Sequence, residues 1–334
     1  MTIDPTAYAL SEWRAAIIAE TTAGTINKTS MQLVNIDGPA TITRNPTLFT
    51  GVRSGIGRTA KAADVYASEY GMEKTIQMSG LLDTAVGLIL MENVTGIEKS
   101  TTIDIPGNYT NEIKIGETPI SDNIHTLSFC NIIPEGDKSE FYPGCVVDEL
   151  KVTMDAANDG GRWHFDTTLK TRANVEVAAA PTTPAAFGTT RRSIFDFGAA
   201  AAVVSFDTLG GTEDVILDSL ELNFKGNVQW GGLGVNGVGQ TINRGMPKFE
   251  ITGVFGLKFD ANTVDSNTIY RTGTPVVVRI HNAASLETSN FGFIGYNGTI
   301  TADVNQEDVR SGAYVKVPID FEAPASGNMF QIVI

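Results

Sequence analysis

Basic residues are scarce in this chain. Its 334 residues carry 24 Lys and Arg against 38 Asp and Glu, a formal charge of −14 at neutral pH. A protein that holds nucleic acid by neutralising phosphates needs a basic face, so general nucleic-acid binding is excluded, and so is adhesion to an anionic membrane surface. Cysteine is nearly absent. Cys130 and Cys145 stand alone, in no CxxC, and both are expected as buried thiols rather than as a disulfide framework. Histidine is limited to His125, His164 and His281, none in HxH or HxxxH spacing, so no zinc site is predicted. No GxSxG nucleophile elbow occurs. The longest apolar stretch, around Ala85 to Met91, is far too short to span a bilayer. Asp4 and Glu12 interrupt the N-terminus, so no secretory leader is expected.

What is abundant points to strands. There are 34 glycines, 42% of residues are hydrophobic and 19% are charged, a soluble composition weighted towards strands and turns. The clearest strand is in residues 246–270. Phe249, Ile251, Phe255, Leu257 and Phe259 alternate with Lys248, Glu250, Thr252 and Lys258, the period of a half-buried strand. Ala261 to Tyr270 has room for a short helix after it. Residues 72–93 read the same way: Ile76 and Met78 alternate, Gly80 and Asp83 follow, and Val86 and Leu90 then take helical spacing.

Two strand-to-helix units in one chain suggest a tandem duplication. The flanks agree in order. Phe141 to Met154, a Gly-containing polar turn and a strand from Arg162 to Arg172 are matched by Phe293 to Val304, a polar turn and a strand from Ala313 to Glu322. A plain antiparallel meander has the same grammar, so both readings stand. In the strand after Arg162, Trp163, Phe165, Thr167 and Leu169 are expected inside, and His164, Asp166, Thr168 and Lys170 outside. Leu220, Leu222 and Phe224 alternate against Glu221, Asn223 and Lys225. His125 to Ile133 is expected as a strand with two distinct sides. Trp13 to Glu20 fits helix or strand equally well. Residues 95–122 read as polar loop with short strands, and the Ala- and Pro-containing stretch 173–193 reads as the linker. The expected organisation is 1–177, linker 178–193, and 194–334.

Residues 44–62 invert the sign of the chain. They hold Arg44, Arg53, Arg58 and Lys61 with no acid, interleaved with Leu48, Phe49, Val52 and Ile56. A solvated hairpin and an arm that docks on an acidic neighbour both fit. Residues 231–245 form a Gly-rich loop at the matching place in the second half. Within it, Gly232, Gly234 and Gly237 match GxGxxG. The next element is another strand, however, so no helix N-terminus is available for a pyrophosphate, and no cofactor is expected. The acidic turn Asp303 to Asp308 lacks the glycine and terminal glutamate of an EF-hand loop. No motif makes an enzyme.

Four segments, in order, carry a resemblance. Ala16-Ile-Ile-Ala-Glu-Thr-Thr-Ala-Gly-Thr25 resembles the opening of tail tube proteins of long-tailed bacteriophages. Phe141-Tyr-Pro-Gly-Cys-Val-Val-Asp-Glu-Leu-Lys-Val152 is similar to a later strand of the same proteins, and Leu220 to Asn227 and Pro247 to Phe255 resemble their second-half strands. The departures are the longer polar loop at 95–122 and an Ala-rich insertion at 178–202. The resemblance implies a mainly β fold: two tandem β-sandwich or half-barrel modules, each with a short packed α-helix. It also implies a virion protein made in the host cytoplasm. Six modules close a ring, so a two-module chain would form a homotrimer. Rings would stack around the tape measure protein between tail terminator and tail tip, and DNA would pass through an acidic lumen that does not hold it. The residues expected at contacts between rings or subunits are Arg44, Phe49, Arg53, Arg58, Lys61 and Trp230. A terminator or inner-tube component, and a carbohydrate-binding β-sandwich, are the rival readings. The latter needs a flat patch of exposed aromatics, for which Trp163 and Trp230 are the candidates, and Trp163 alternates with core residues.

Overall fold

The structure is a computed structural model, and it describes residues 14–44, 47–51, 64–68, 73–101, 111–116, 125–133, 138–155, 162–181, 202–208, 211–214, 216–226, 228–233, 240–244, 248–257, 271–282, 292–300, 315–317, 319–321 and 328–333. The described residues are mainly strand, with one long helix.

The first half runs β1 (Arg14–Ala19), β2 (Gln32–Val34), β3 (Thr41–Arg44), β4 (Thr47–Gly51), β5 (Asp64–Ser68), β6 (Lys74–Leu81), α1 (Thr84–Thr95), β7 (Glu112–Gly116), β8 (Leu127–Ile132), β9 (Ser139–Asp155), β10 (Trp163–Thr171) and β11 (Glu176–Ala178). The second half runs β12 (Ala202–Thr208), β13 (Gly211–Asp214), β14 (Ile216–Lys225), β15 (Val228–Leu233), β16 (Gln240–Arg244), β17 (Lys248–Leu257), β18 (Val276–Asn282), β19 (Gly292–Ile300), β20 (Val315–Val317), β21 (Ile319–Phe321) and β22 (Asn328–Val333). All ladders between them are antiparallel. The larger sheet follows β2-β1-β8-β9-β10-β6-β3 and extends from β9 through β14 to β17 and β20. A second sheet follows β13-β12-β18-β19-β22-β7, with β21 on β19.

Period-two sequence produces one buried face per strand where only one face is covered. In β10, Trp163, Phe165, Thr167 and Leu169 are buried while Asp166 is exposed, as the alternation predicts. In β14, Leu222 and Phe224 are buried likewise. β8 departs from its expected two-sided pattern. Residues Leu127 to Asn131 are all buried, because both faces are covered: Leu127 and Phe129 belong to the main core, and Cys130 to a second cluster with Ala16, Met31, Leu33 and Phe141. The segment Trp13 to Glu20 becomes strand β1. It pairs with β8 on one side and β2 on the other, and this tertiary pairing decides what the local sequence left open.

The expected strand-to-helix unit is present at β6 and α1. Asp83 caps the helix, accepting from the Val86 backbone N–H at 2.8 Å. Gly96 ends it at φ 70, donating its N–H to the Glu92 carbonyl. Val86, Leu90, Met91 and Val94 are buried against Ile76, Phe129, Leu150, Val152 and Phe165, and the same core takes in Leu222, Phe224, Val276 and Ile332 of the second half. Asn93 ties the helix to the sheet. Its Nδ2 donates to the His125 carbonyl at 2.8 Å, and its Oδ1 accepts from the Val147 N–H at 2.7 Å. The helix expected over Ala261 to Tyr270 lies outside the described residues.

β9 serves two stretches of the larger sheet. Its start pairs with β8 and β11, and its end pairs with β10 and β14. The change falls at Pro143 and Gly144, where Gly144 has φ 61 and the β8 register shifts between Leu127 and Phe129. β7 is a short strand of the kind expected within 95–122, whereas the stretch from 231 expected as a Gly-rich loop begins as β15 and ends as β16, which pair as a hairpin. Among the described residues no helix is long and apolar enough to cross a membrane.

Candidate assembly edges and charged clusters

β14 continues the sheet of the first half into the second. It pairs with β9 from Ser219 opposite Asp155 to Lys225 opposite Glu149, and with β17 along its other edge. The apolar side of this junction is dry: Phe224 stands opposite Leu150 and Leu222 opposite Val152, all buried. The polar side carries the Lys151–Glu221 ion pair at 2.9 Å across the junction and the Lys170–Asp148 pair at 2.8 Å beside it. Gly226 closes the end. Its N–H donates to the Asp148 carbonyl at 2.7 Å, and a Cβ there would stand 2.4 Å from the Val147 carbonyl oxygen.

The same polar face forms a shallow concavity of about 380 Å³ over β3, β6, β10 and β9, lined by Gln77, Glu149, Lys151, Asp166 and Thr168 among others. Acids and lysines alternate across its strands, with Asp166 opposite Lys151 and Thr168 opposite Glu149. Such a surface offers mixed charge to solvent and no convergent set of catalytic groups. Among the described residues no cluster of three His, Cys, Asp or Glu is placed to hold a metal ion.

β3 ends the larger sheet. Among the described residues it pairs with β6 alone, so its other edge is open. Arg44, at its end, is engaged within the chain. Its Nη2 donates to Glu140 Oε1 at 2.5 Å and to the Tyr142 hydroxyl oxygen at 2.6 Å, and its guanidinium lies 5.8 Å from the Tyr142 ring centre. The Tyr142 hydroxyl in turn donates to Glu140 Oε2 at 2.8 Å. Burial alone would raise the Glu140 pKa, but the hydrogen bonds from Arg44 and Tyr142 outweigh it and hold the carboxyl below its ordinary range. Tyr142 shifts upward, through burial first and the neighbouring carboxylate second. Glu140 raises the Arg44 pKa further through its hydrogen bond.

The other expected contact residues fall on the two hairpins or beyond the described residues. Phe49 is in β4, opposite Tyr66 of β5, and Trp230 is in β15, opposite Ile242 of β16. Arg53, Arg58 and Lys61 lie outside the described residues. Trp163 is 3% exposed, part of the core, which removes it from any surface aromatic patch. Burial pushes the Cys130 thiol up to about 12 and shifts Cys145 upward as well, so both are inert core thiols.

Sequence reasoning passed over Glu20. Its carboxylate accepts from Ser128 Oγ at 2.5 Å and the Gly144 N–H at 2.9 Å on one oxygen, and from Thr126 Oγ1 at 2.7 Å and the Gly24 N–H at 2.6 Å on the other. One side chain thereby fixes the 20–25 turn against β8 and the β9 bend. The available signal was a lone acid between a strand and a Thr-Gly turn. No model of a known protein family matches the chain, and no curated protein does.

Proposed function

We propose that this chain is a structural, self-assembling protein of a bacteriophage tail tube: two tandem β modules per chain, three chains per ring, and rings stacked around a tape measure protein into a conduit for DNA. The observation that carries it is the recurrence of strand pairings. β1·β2, β1·β8, β8·β9, β9·β10, β6·β10, β3·β6, β4·β5 and β9·β11 have counterparts in β12·β13, β12·β18, β18·β19, β19·β21, β17·β20, β14·β17, β15·β16 and β19·β22. Even the irregularity recurs. β9 skips from Cys145 to Tyr142 against β8, and β19 skips from Gly298 to Gly295 against β18. A plain meander has no reason to repeat a bulge in register.

Two ladders have no counterpart, β9·β14 and β7·β22, and both join the halves. In the duplicated arrangement β3 corresponds to β14, and the end of β19 corresponds to the end of β9. Beyond Gly298, β19 has β21 alone as neighbour among the described residues, and the outer edge of β3 is open. Repeating the β9·β14 junction between copies, β19 to β3, covers both of these edges and closes a ring. Tape measure, terminator and tail-tip proteins are the implied partners, and the net charge of −14 keeps transiting DNA from adhering.

Arg44 anchors the base of the basic segment, while Phe49, Arg53, Arg58, Lys61 and Trp230 are assigned to contacts between rings. Replacing Arg53 and Arg58 by Glu should shorten or destabilise tubes, and unchanged tubes would remove this assignment. The assembly itself is tested by native mass spectrometry across a concentration series. Trimers and multiples of trimers are expected, and a monomer at every concentration, with or without tail-tip protein, would oppose the proposal.

A further inference from the structure

We infer that the outer edge of β11, centred on Val177, is a surface that a second copy of this chain covers when copies join. The inference rests on the head-to-tail assembly proposed above and adds a contact to it. Counting back two residues from the shared bulge reaches Glu140 on β9 and Phe293 on β19. Val177 of β11 stands opposite Glu140, and Ile332 of β22 stands opposite Phe293, so Val177 and Ile332 hold corresponding positions.

Their surroundings differ in one respect. β7 lies along the outer edge of β22 and puts Ile113 opposite Ile332, and these two side chains are 1% and 0% exposed. Among the described residues no strand lies outside β11, and Val177 is 61% exposed, the one exposed large hydrophobic side chain there. An open strand edge with an apolar centre is a site for association. Its flank is already neutralised, because Glu176 pairs with Lys28.

Direction identifies the occupant. β7 belongs to the first half and reaches across to β22 of the second, so the β22 edge faces the first half of the same chain. When copies join head to tail, the corresponding β11 edge faces the second half of the preceding copy. Among the described residues that neighbour has no counterpart of β7 to lend. Only residues 258–275 separate β17 from β18, whereas 82–126 separate β6 from β8. The edge is therefore covered by the neighbouring copy itself, and remains exposed on the free chain.

The test is maleimide labelling of Val177→Cys in the full-length chain, before and after assembly. Cys130 and Cys145 are buried and do not compete. Labelling should be rapid in the dissociated chain and slowed more than about tenfold in assembled rings, a protection set by burial. Val177→Lys should keep the far-ultraviolet spectrum and thermal midpoint of the free chain while raising the concentration needed for assembly by about tenfold. Rings that form normally yet label at the free-chain rate would overturn this inference and leave the tube reading intact. A wild-type chain that forms no rings would overturn both. Protection that arises only after another tail protein is added would assign the edge to that protein instead.

Discussion

Phe224 of β14 stands opposite Leu150 of β9, and both are buried where the first half of the chain meets the second. The halves thus share one core as well as one sheet. Removing the ring in Phe224→Ala leaves a cavity at that junction and should cost about 3–5 kcal/mol. Urea unfolding followed by fluorescence and circular dichroism should show a single transition at lower midpoint for both probes. Two separated transitions in the wild-type chain would mean that the junction does not couple the halves.

Gly80 is expected to tolerate nothing larger. The chain leaving β2 crosses β6 there, with the Leu81 N–H donating to the Asn35 carbonyl at 3.0 Å and the Asp37 N–H to the Ser79 carbonyl at 2.9 Å. A Cβ on residue 80 would stand 1.9 Å from the Asn35 carbonyl oxygen. Backbone has to move to admit it, so Gly80→Ala should lose about 3 kcal/mol or more of stability, measured by chemical denaturation. A loss under about 1 kcal/mol would show that the crossing is looser than described.

Glu20→Ala removes two acceptor oxygens and the four hydrogen bonds they accept, and leaves the Gly24 and Gly144 N–H groups to find water. The expected loss is on the order of 3 kcal/mol, with Glu20→Gln intermediate because it keeps one acceptor oxygen. Hydrogen exchange at Gly24 and Gly144 should accelerate in the Ala variant, and unchanged exchange there would contradict the role given to the carboxylate.

The Arg44–Glu140–Tyr142 cluster predicts an acid-side effect. Glu140 titrates lower in the folded chain than in the unfolded one, so the unfolded state binds the proton more readily. Its contribution is complete above the ordinary carboxylate range of about 4 and fades as pH falls through the lower folded value. Glu140→Gln should flatten that part of the stability–pH curve, while wild type and variant run parallel between pH of about 6 and 8. An unaltered acid limb would show that the pair is solvated rather than coupled.

The strands were readable where one face is wet. β10 and β14 alternate cleanly, and the β6–α1 unit announces itself through Asp83 and the spacing of Val86 and Leu90. β8 was legible as a strand but not as one buried on both faces, and β1 was open between helix and strand until its two neighbours decided it. The Gly-rich stretch after Trp230 hid a hairpin, because glycine masks the alternation that side chains would show. Arg44 was legible as a cation but not as the partner of Glu140 and Tyr142, nearly a hundred residues on, since no local pattern carries a contact of that range. Short strands were expected within 95–122, but the partner of β7 was illegible for the same reason, being the last strand of the chain.

The central claim is that two joined modules per chain close edge to edge into rings. Electron microscopy of the purified protein over a range of concentrations tests it most directly. Hollow tubes or stacked rings with three-fold symmetry, each chain filling two adjacent positions of a continuous inner sheet, are the predicted result. Six chains per ring would contradict the two-module count, and particles that stay single at every concentration, even with tail-tip protein as initiator, would contradict the assembly itself.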